Sequence, residues 1–488
     1  MSIMLPSAKR KKEGDEQPGI KMGMFNLRIP FVHAPFEVPE AIQALVVFVV
    51  GVSAIAYMED IFGLPFAVAL AVVCVHETLE VFYGMLGEPT ISGWITPAIP
   101  LITTWILGFG TMQDKIQALV SLQVILGLFF IIFGLTGIAT KLVTWVPTSI
   151  KAGILIGAGV SAITGKYGFM SLDKGGSGIF KYPISWTVGI LVALFLLYST
   201  GFNKIKLDKD NGLIKLLAKA GFVPALFIAY LVGVIVGELP LPVFDLSQGI
   251  FFNPIPGLKE GFNTFSLFAF GIPPMRIILS ALPVAFITYI ISFGNIVVAT
   301  ELNTEAGEAR PDEKVDVNPD RANILTGARN IIQGVFAPNV VMSGPLWTAM
   351  QVTTVERYKQ GKKSMYSLFG GVISFDLAKM VATFTLPLVA LINPILPLGM
   401  SLTLMIQAFA CFNIGFGMTK TTVQKGVAGV TGAIMSVTEP HIGLLAGIVI
   451  SVIVEFLFSG GRNLEEQVKE EKEDIKEIVA EAEEQAKV

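Results

Sequence analysis

Two cysteines and three histidines are all that the 488 residues contain. Cys74 and Cys411 both fall in apolar stretches, so a disulfide framework or cysteine-based metal site has little to be built from, and both read as small core residues. Charge is scarce too. Asp, Glu, Lys and Arg make up 15% of the chain against 53% hydrophobic residues, too few to coat several soluble domains. The 35 basic and 38 acidic residues leave a net charge of −3, which gives no footing for nucleic acid. No Gly-Lys-Ser/Thr phosphate loop occurs, which argues against ATP-driven pumping. No apolar region follows the basic start Lys9-Arg10-Lys11-Lys12 within signal-peptide reach, so the first hydrophobic segment reads as a retained span.

What the chain does have is apolar runs continuous over about 20 residues, the length of a membrane-spanning helix rather than of a barrel strand. The fold class is all-α, polytopic and membrane-embedded. Runs fall near 40–58, 65–86, 94–109, 117–140, 148–164, 182–202 and 221–238, then near 277–299, 322–336, 344–354, 366–391, 398–417, 424–437 and 440–459. The spacing divides the chain into an N-terminal tail (1–39), seven spans (40–239), an extracytoplasmic connector (240–276), seven more spans (277–459) and a charged amphipathic helix (460–488). With both termini in the cytoplasm, about sixteen basic residues fall in inner loops, and six (Lys115, Lys166, Lys174, Lys181, Lys259, Arg276) in outer ones. That bias supports the orientation and the even span count.

Seven crossings return the second half inverted, the arithmetic of inverted-repeat transporters. Gly87-Glu88-Pro89-Thr90-Ile91-Ser92-Gly93-Trp94 opens the third span, and Ala337-Pro338-Asn339-Val340-Val341-Met342-Ser343-Gly344-Pro345-Leu346-Trp347 opens the tenth. Both run from Pro through β-branched residues to Ser-Gly and a Trp. The β-branched residues favour extended backbone, while Ser92-Gly93 and Ser343-Gly344-Pro345 read as N-cap and first-turn chemistry. Two helix starts facing each other at membrane depth direct free N–H groups at a shared polar or anionic ligand.

On these segments the chain resembles the nucleobase/ascorbate permease and sulfate permease superfamily over about residues 40–459. Gly51 to Leu101, Ser292-Phe293-Gly294-Asn295-Ile296-Val297-Val298 and Asp320-Arg321 to Thr348 carry the likeness. The resemblance implies seven-plus-seven inverted spans, short strands before the third and tenth helices, a core of spans 1–4 and 8–11, a gate of spans 5–7 and 12–14, and a homodimer. It also implies a substrate between the third and tenth half-helices, completed by the first and eighth spans. Ile291 stands where nucleobase permeases usually have an acidic residue, and Gly344-Pro345-Leu346-Trp347 replaces their Asn-x-Gly signature. Too few residues follow Gly461 for the STAS domain common in sulfate permeases.

Candidate substrate-binding residues are therefore Ser92, Gly93, Trp94 and Thr96 with Ser343, Gly344, Trp347 and Thr348; Ser292 and Asn295, at i, i+3 on one face of the eighth span; and Tyr57, which shares a face of the first span with Ser53. The plainer alternative is small residues permitting close helix packing. His76, Glu77 and Glu80 put three ionisable groups inside the second span and are candidates for H⁺ or Na⁺ coupling, against a structural polar pair. The motif His-Glu-x-x-Glu lacks the second His of a zinc protease, and neither a catalytic residue, a metal nor a cofactor is expected. Asp376 and Lys379, i, i+3 in the eleventh span, read as a mutually neutralising pair with ion coupling as the alternative.

The expected protein is a secondary active transporter in the plasma membrane, elevator-like, for a small polar or anionic solute, with a planar organic anion or carboxylate favoured by the two Trp residues. An inorganic oxyanion carrier, a nucleobase permease, an uncoupled anion channel and a membrane enzyme are the rivals.

Overall fold

The computed structural model describes residues 4–5, 9–137, 146–165, 168–170, 179–208, 223–242, 249–438 and 440–457. The expected amphipathic helix of 460–488 lies outside the described residues. The chain is mostly helical, and each expected span falls on a helix. Among the described residues, four helices are long and apolar enough to cross a membrane alone: Val38–Phe62, Phe66–Met85, Met112–Thr136 and Met275–Ala309.

Local chemistry places the helix starts. The Thr111 hydroxyl accepts from Asp114 N at 3.1 Å to open the fourth span. The Asn318 side chain accepts from Asp320 N and Arg321 N, with Pro319 at the first helical position, to open the ninth (Pro319–Phe336). The first span bends at Ser53, between Val38–Val52 and Ala54–Phe62, where the Ser53 hydroxyl donates to Val50 O at 2.7 Å. The eighth span runs ten residues past its expected end, to Ala309. The eleventh is shorter than expected: Leu368–Thr383 is followed by a separate helix, Leu386–Ile392.

Helix partnerships group the spans, with the third also packing on the fifth and the twelfth on the first. The fourth span packs on the ninth and eighth, the eleventh on the second and first, and the eighth on the tenth. The fifth (Thr148–Thr164) packs on the twelfth (Leu396–Met418) and thirteenth (Thr422–Val437), the sixth (Pro183–Tyr198) on the seventh (Val223–Ile235), and the thirteenth on the fourteenth (Pro440–Ser451). Several pairs recur seven spans on: 4 with 9 answers to 11 with 2, and 1 with 11 to 8 with 4. At the fourth–ninth crossing a Cβ on Gly127 would stand 2.8 Å from Gly327 O, and one on Gly327 2.6 Å from Gly127 O, so only glycine permits this approach.

The segment before the first span is a folded strap rather than a polar tail. Strands Ile20–Met22 and Phe25–Leu27 form a hairpin, and Arg28 is fully buried with its guanidinium 3.6 Å from the Phe369 ring centroid. Asn26 N and Arg28 N donate to Leu86 O and Met85 O, and Arg10 pairs with Asp312 and Glu313. Low hydropathy hides this packing, because its energy comes from ion pairs and backbone hydrogen bonds rather than from an apolar face.

Candidate functional site

The two Pro-led segments meet. Gly93–Trp94 and Ser343–Gly344 form an antiparallel pair with Gly93 opposite Gly344 and Trp94 opposite Ser343. This corrects the expected helix starts: Ser92-Gly93 and Ser343-Gly344-Pro345 do not cap helices but lie in or beside strands. The third helix begins with a 3₁₀ turn at Thr96–Ala98 and continues as Ile99–Leu107; the tenth is Thr348–Lys359. Neither start has a side-chain cap. Each strand satisfies backbone groups of the other, which a pair of isolated caps inside the protein would leave exposed. A Cβ on Gly344 would fall 2.7 Å from Trp94 C and O, and one on Gly93 3.1 Å from Trp347 Cβ. Glycine is required there by the closeness of two backbones.

Side-chain amides complete the extended segments. The Asn330 amide brackets Ser343, its Nδ2 donating to Ser343 O at 2.7 Å and its Oδ1 accepting from Ser343 N at 3.0 Å. Gln351 Oε1 accepts from Ile91 N at 2.8 Å, while its Nε2 donates to Pro89 O (2.8 Å) and Asn303 Oδ1 (2.7 Å). Gln123 Oε1 accepts from Asn339 N at 2.9 Å. These polar residues escaped the candidate set. Arg329, Asn330 and Gln333 within one expected span were the available signal, since polar groups at membrane depth require partners or work.

Among the candidates, Ser92, Ser292 and Ser343 are fully buried. The Ser343 hydroxyl donates to Gln333 Oε1 at 3.0 Å, whereas those of Ser92 and Ser292 have no hydrogen-bond partner. Asn295 is half-buried and Thr348 exposed; Thr96 is half-buried in the 3₁₀ turn, against which the eighth span packs. Tyr57 is buried in the first span. Trp94 is buried in its strand. Trp347 donates its backbone N–H to Ile91 O at 2.8 Å, meets Phe375 edge-on and covers Lys379 Nζ at 5.3 Å, so it roofs the charged cluster described next.

Beside the strands, the second, ninth and eleventh spans bury six ionisable side chains. Lys379 Nζ lies 3.1 Å from Glu77 Oε2 and donates to Glu80. Glu80 Oε1 also faces His76 Nε2 at 3.2 Å and Arg329 Nη2 at 3.5 Å. Lys379 is therefore neutralised across helices, by the second span, rather than by Asp376 on its own helix as its spacing suggested. The carboxylate oxygens of Asp376 have no hydrogen-bond partner.

A cavity of about 10 Å³, room for a single water, lies between the third-span lead-in and the eighth span, lined by Glu88, Thr90, Ile296, Thr300 and Asn303 among others. Glu88 sits in the connection after the second span, with its carboxylate 2.6 Å from Arg321 Nε. Burial pushes its carboxyl up to about 7 against the pull of Arg321.

No family model and no curated protein matches the chain. Solved structures do. The transmembrane domain of a cyanobacterium bicarbonate transporter, BicA, aligns over 84% of this chain and 96% of its own, with TM-score 0.52 and 14% identity. The murine Solute Carrier 26 family member A9 anion transporter, in its inward-facing state, aligns over 86% of this chain and 68% of its own, with TM-score 0.52 and 14% identity. The chain has the Solute Carrier 26 transmembrane fold. It is a multi-pass membrane protein, and the likeness read from its Pro-led segments is met at the level of fold. No STAS domain occurs among the described residues.

Proposed function

We propose that the protein is a secondary active transporter of a small anion, bound where the starts of the third and tenth helices meet. The observation that carries the reading is the Gly93–Trp94 to Ser343–Gly344 pair, which brings two half-helix starts together inside the core. Helix N-termini attract negative charge, and the buried, unpartnered hydroxyls of Ser92 and Ser292 offer hydrogen bonds to a ligand. A planar anion of the carboxylate or bicarbonate type suits such donors better than a sphere. Two solved proteins of this fold are by name a bicarbonate transporter and an anion transporter. The remaining site residues in this reading are Gly93, Trp94, Thr96, Asn295, Ser343, Gly344, Trp347, Thr348 and Tyr57.

Ser92, Ser292 and Ser343 are fully buried, so a solute reaches them only when helices part. Loading then proceeds by an elevator-type movement of the core spans against the gate, each drawn from both inverted repeats, with H⁺ or Na⁺ as co-ion at the charged cluster. The protein works as a homodimer in the plasma membrane with both termini in the cytoplasm.

A thermal-shift screen of detergent-purified protein against bicarbonate, aromatic and aliphatic carboxylates, sulfate and uracil tests the site. A ligand at 100 times its dissociation constant stabilises by about 2.7 kcal/mol. The expected result is a shift with carboxylates or bicarbonate in the wild type and none in Ser343→Trp; an equal shift in both removes the site, and a sulfate-only shift favours the oxyanion carrier. Sustained single-channel current would favour a channel.

Orientation has a separate check. Both native cysteines are buried, so Lys12→Cys offers one accessible thiol. An impermeant maleimide is expected to label it in inside-out vesicles only; labelling of intact cells reverses the topology.

A further inference from the structure

The charged cluster holds three carboxylates, Glu77, Glu80 and Asp376, beside Arg329, Lys379 and the His76 ring. All six side chains are buried. The geometry shows which carboxylate stands without a partner. Glu80 is engaged by Lys379, His76 and Arg329; Glu77 has no hydrogen bond but is ion-paired with Lys379 at 3.1 Å, whereas among the described residues no ion pair reaches Asp376. Asp376, fully buried, has no hydrogen-bond donor at either oxygen. An ionised carboxylate held this way is prohibitively costly unless a proton neutralises it.

We propose that Asp376 is the site at which this protein binds a co-transported proton. The inference rests on the transporter reading and names its co-ion. Binding forms an O–H bond between a carboxylate oxygen and a proton delivered from water on one side of the membrane; release breaks it on the other. The cluster's formal charge changes by one with each binding and release, and no other reactant is needed. A metal cation is disfavoured because the Lys379 ammonium already lies against Glu77 and Glu80.

The surroundings of Asp376 are accounted for element by element. The second span presents Glu77, Glu80 and the Tyr83 ring, with Gly84 at closest approach, where a Cβ would lie 3.9 Å from Asp376 Oδ2. The ninth span presents Arg329, and the eleventh its own Lys379. The first span faces the cluster with Gly51, where a Cβ would meet Glu77 Oε1 at 2.5 Å. Glu37, on the short strand packed against the eleventh span, is committed to Tyr366 N at 2.8 Å and lies 3.8 Å from Arg357. The tenth span contributes the Trp347 ring over Lys379.

The link to the anion site is direct. Arg329 Nη1 donates to Gly344 O at 3.0 Å, and Lys379 lies under Trp347. Gln333 Oε1 accepts from Ser343 Oγ at 3.0 Å and faces His76 Nδ1 at 3.1 Å. Charging Asp376 strengthens its pull on the two cations that hold Gly344 and Trp347, so protonation alters the strand pair without any direct contact with the solute.

The test has two arms on full-length protein. Infrared titration is expected to show a buried carboxylic-acid C=O band that disappears as pH rises and is absent from Asp376→Asn; in Glu77→Gln, which removes a neighbouring negative charge, the band persists but disappears at lower pH. A band unchanged in Asp376→Asn, or no titrating carboxyl at all, overturns the assignment. In proteoliposomes, a pH gradient is expected to drive accumulation of labelled nitrate, a planar anion with no membrane-permeant acid form near neutral pH, reaching about tenfold per pH unit when it moves with one proton. The ratio of uptake with the gradient to uptake without it falls to about one in Asp376→Asn. Drive by a sodium gradient alone overturns the proposal. If no anion moves and none shifts the melting temperature, the transport reading falls and co-transport with it; an Asp376-dependent infrared band then locates the failure in that reading rather than in the proton site.

Discussion

Replacing Lys379 with methionine is expected to lower the unfolding free energy in detergent by about 3–5 kcal/mol, the cost of removing one partner from a buried ionic pair. Lys379 is the cation nearest both Glu77 and Glu80, and all three side chains are buried. Its loss leaves Arg329 alone against three carboxylates, while methionine keeps most of the volume. The same argument predicts non-additivity: adding Glu77→Gln to Lys379→Met is expected to recover part of the loss, because the stranded charge is then removed. Denaturant unfolding of the four proteins of the cycle measures this. A loss below about 1 kcal/mol for Lys379→Met would mean that water reaches the cluster, since exposed pairs are worth about that much.

Gly344→Ala is the second large effect. The added carbon would stand 2.7 Å from two backbone atoms of Trp94 and 3.0 Å from Ile95 N, none of which belongs to a side chain that can turn away. The strands must separate, at about 1–3 kcal/mol for overpacking, and the register that places Ser343 opposite Trp94 is lost with them. Ligand-dependent thermal stabilisation and uptake are both expected to vanish while the protein remains folded. Gly294→Ala is the matched control: on the eighth span a Cβ there meets nothing within 4 Å, so stability is expected to shift by less than about 1 kcal/mol, and upward. Retained ligand response in Gly344→Ala would show that the strand pair does not define the site.

The spans were legible because membrane helices announce themselves in composition. The continuous apolar run of the fifth span was placed at 148–164, and the helix is Thr148–Thr164. The strand region was legible in kind but displaced by about three residues: Thr90-Ile91 and Val340-Val341 carry the extended preference, yet the paired residues are Gly93–Trp94 and Ser343–Gly344. Ser-Gly is ambiguous between a helix cap and a strand where backbones cross closely, and only the partner segment resolves it. Asp376 and Lys379 misled for a related reason. Spacing on one helix brings two charges within reach, but Lys379 points to the second span, where two carboxylates offer a stronger field than one.

By itself the amino-acid sequence determined the apolar, helical character of this protein, the rough limits of most of its helices, and the two segments that interrupt them, because each follows from composition and local backbone preference within one stretch of chain. The tertiary structure alone decided which groups meet: strand against strand, the Asn330 and Gln351 amides on the open backbone, Lys379 on Glu77 and Glu80, and Asp376 left without a donor. Those contacts join residues up to about 300 positions apart. Their energies depend on distance and burial, which are properties of the packed helices rather than of any segment.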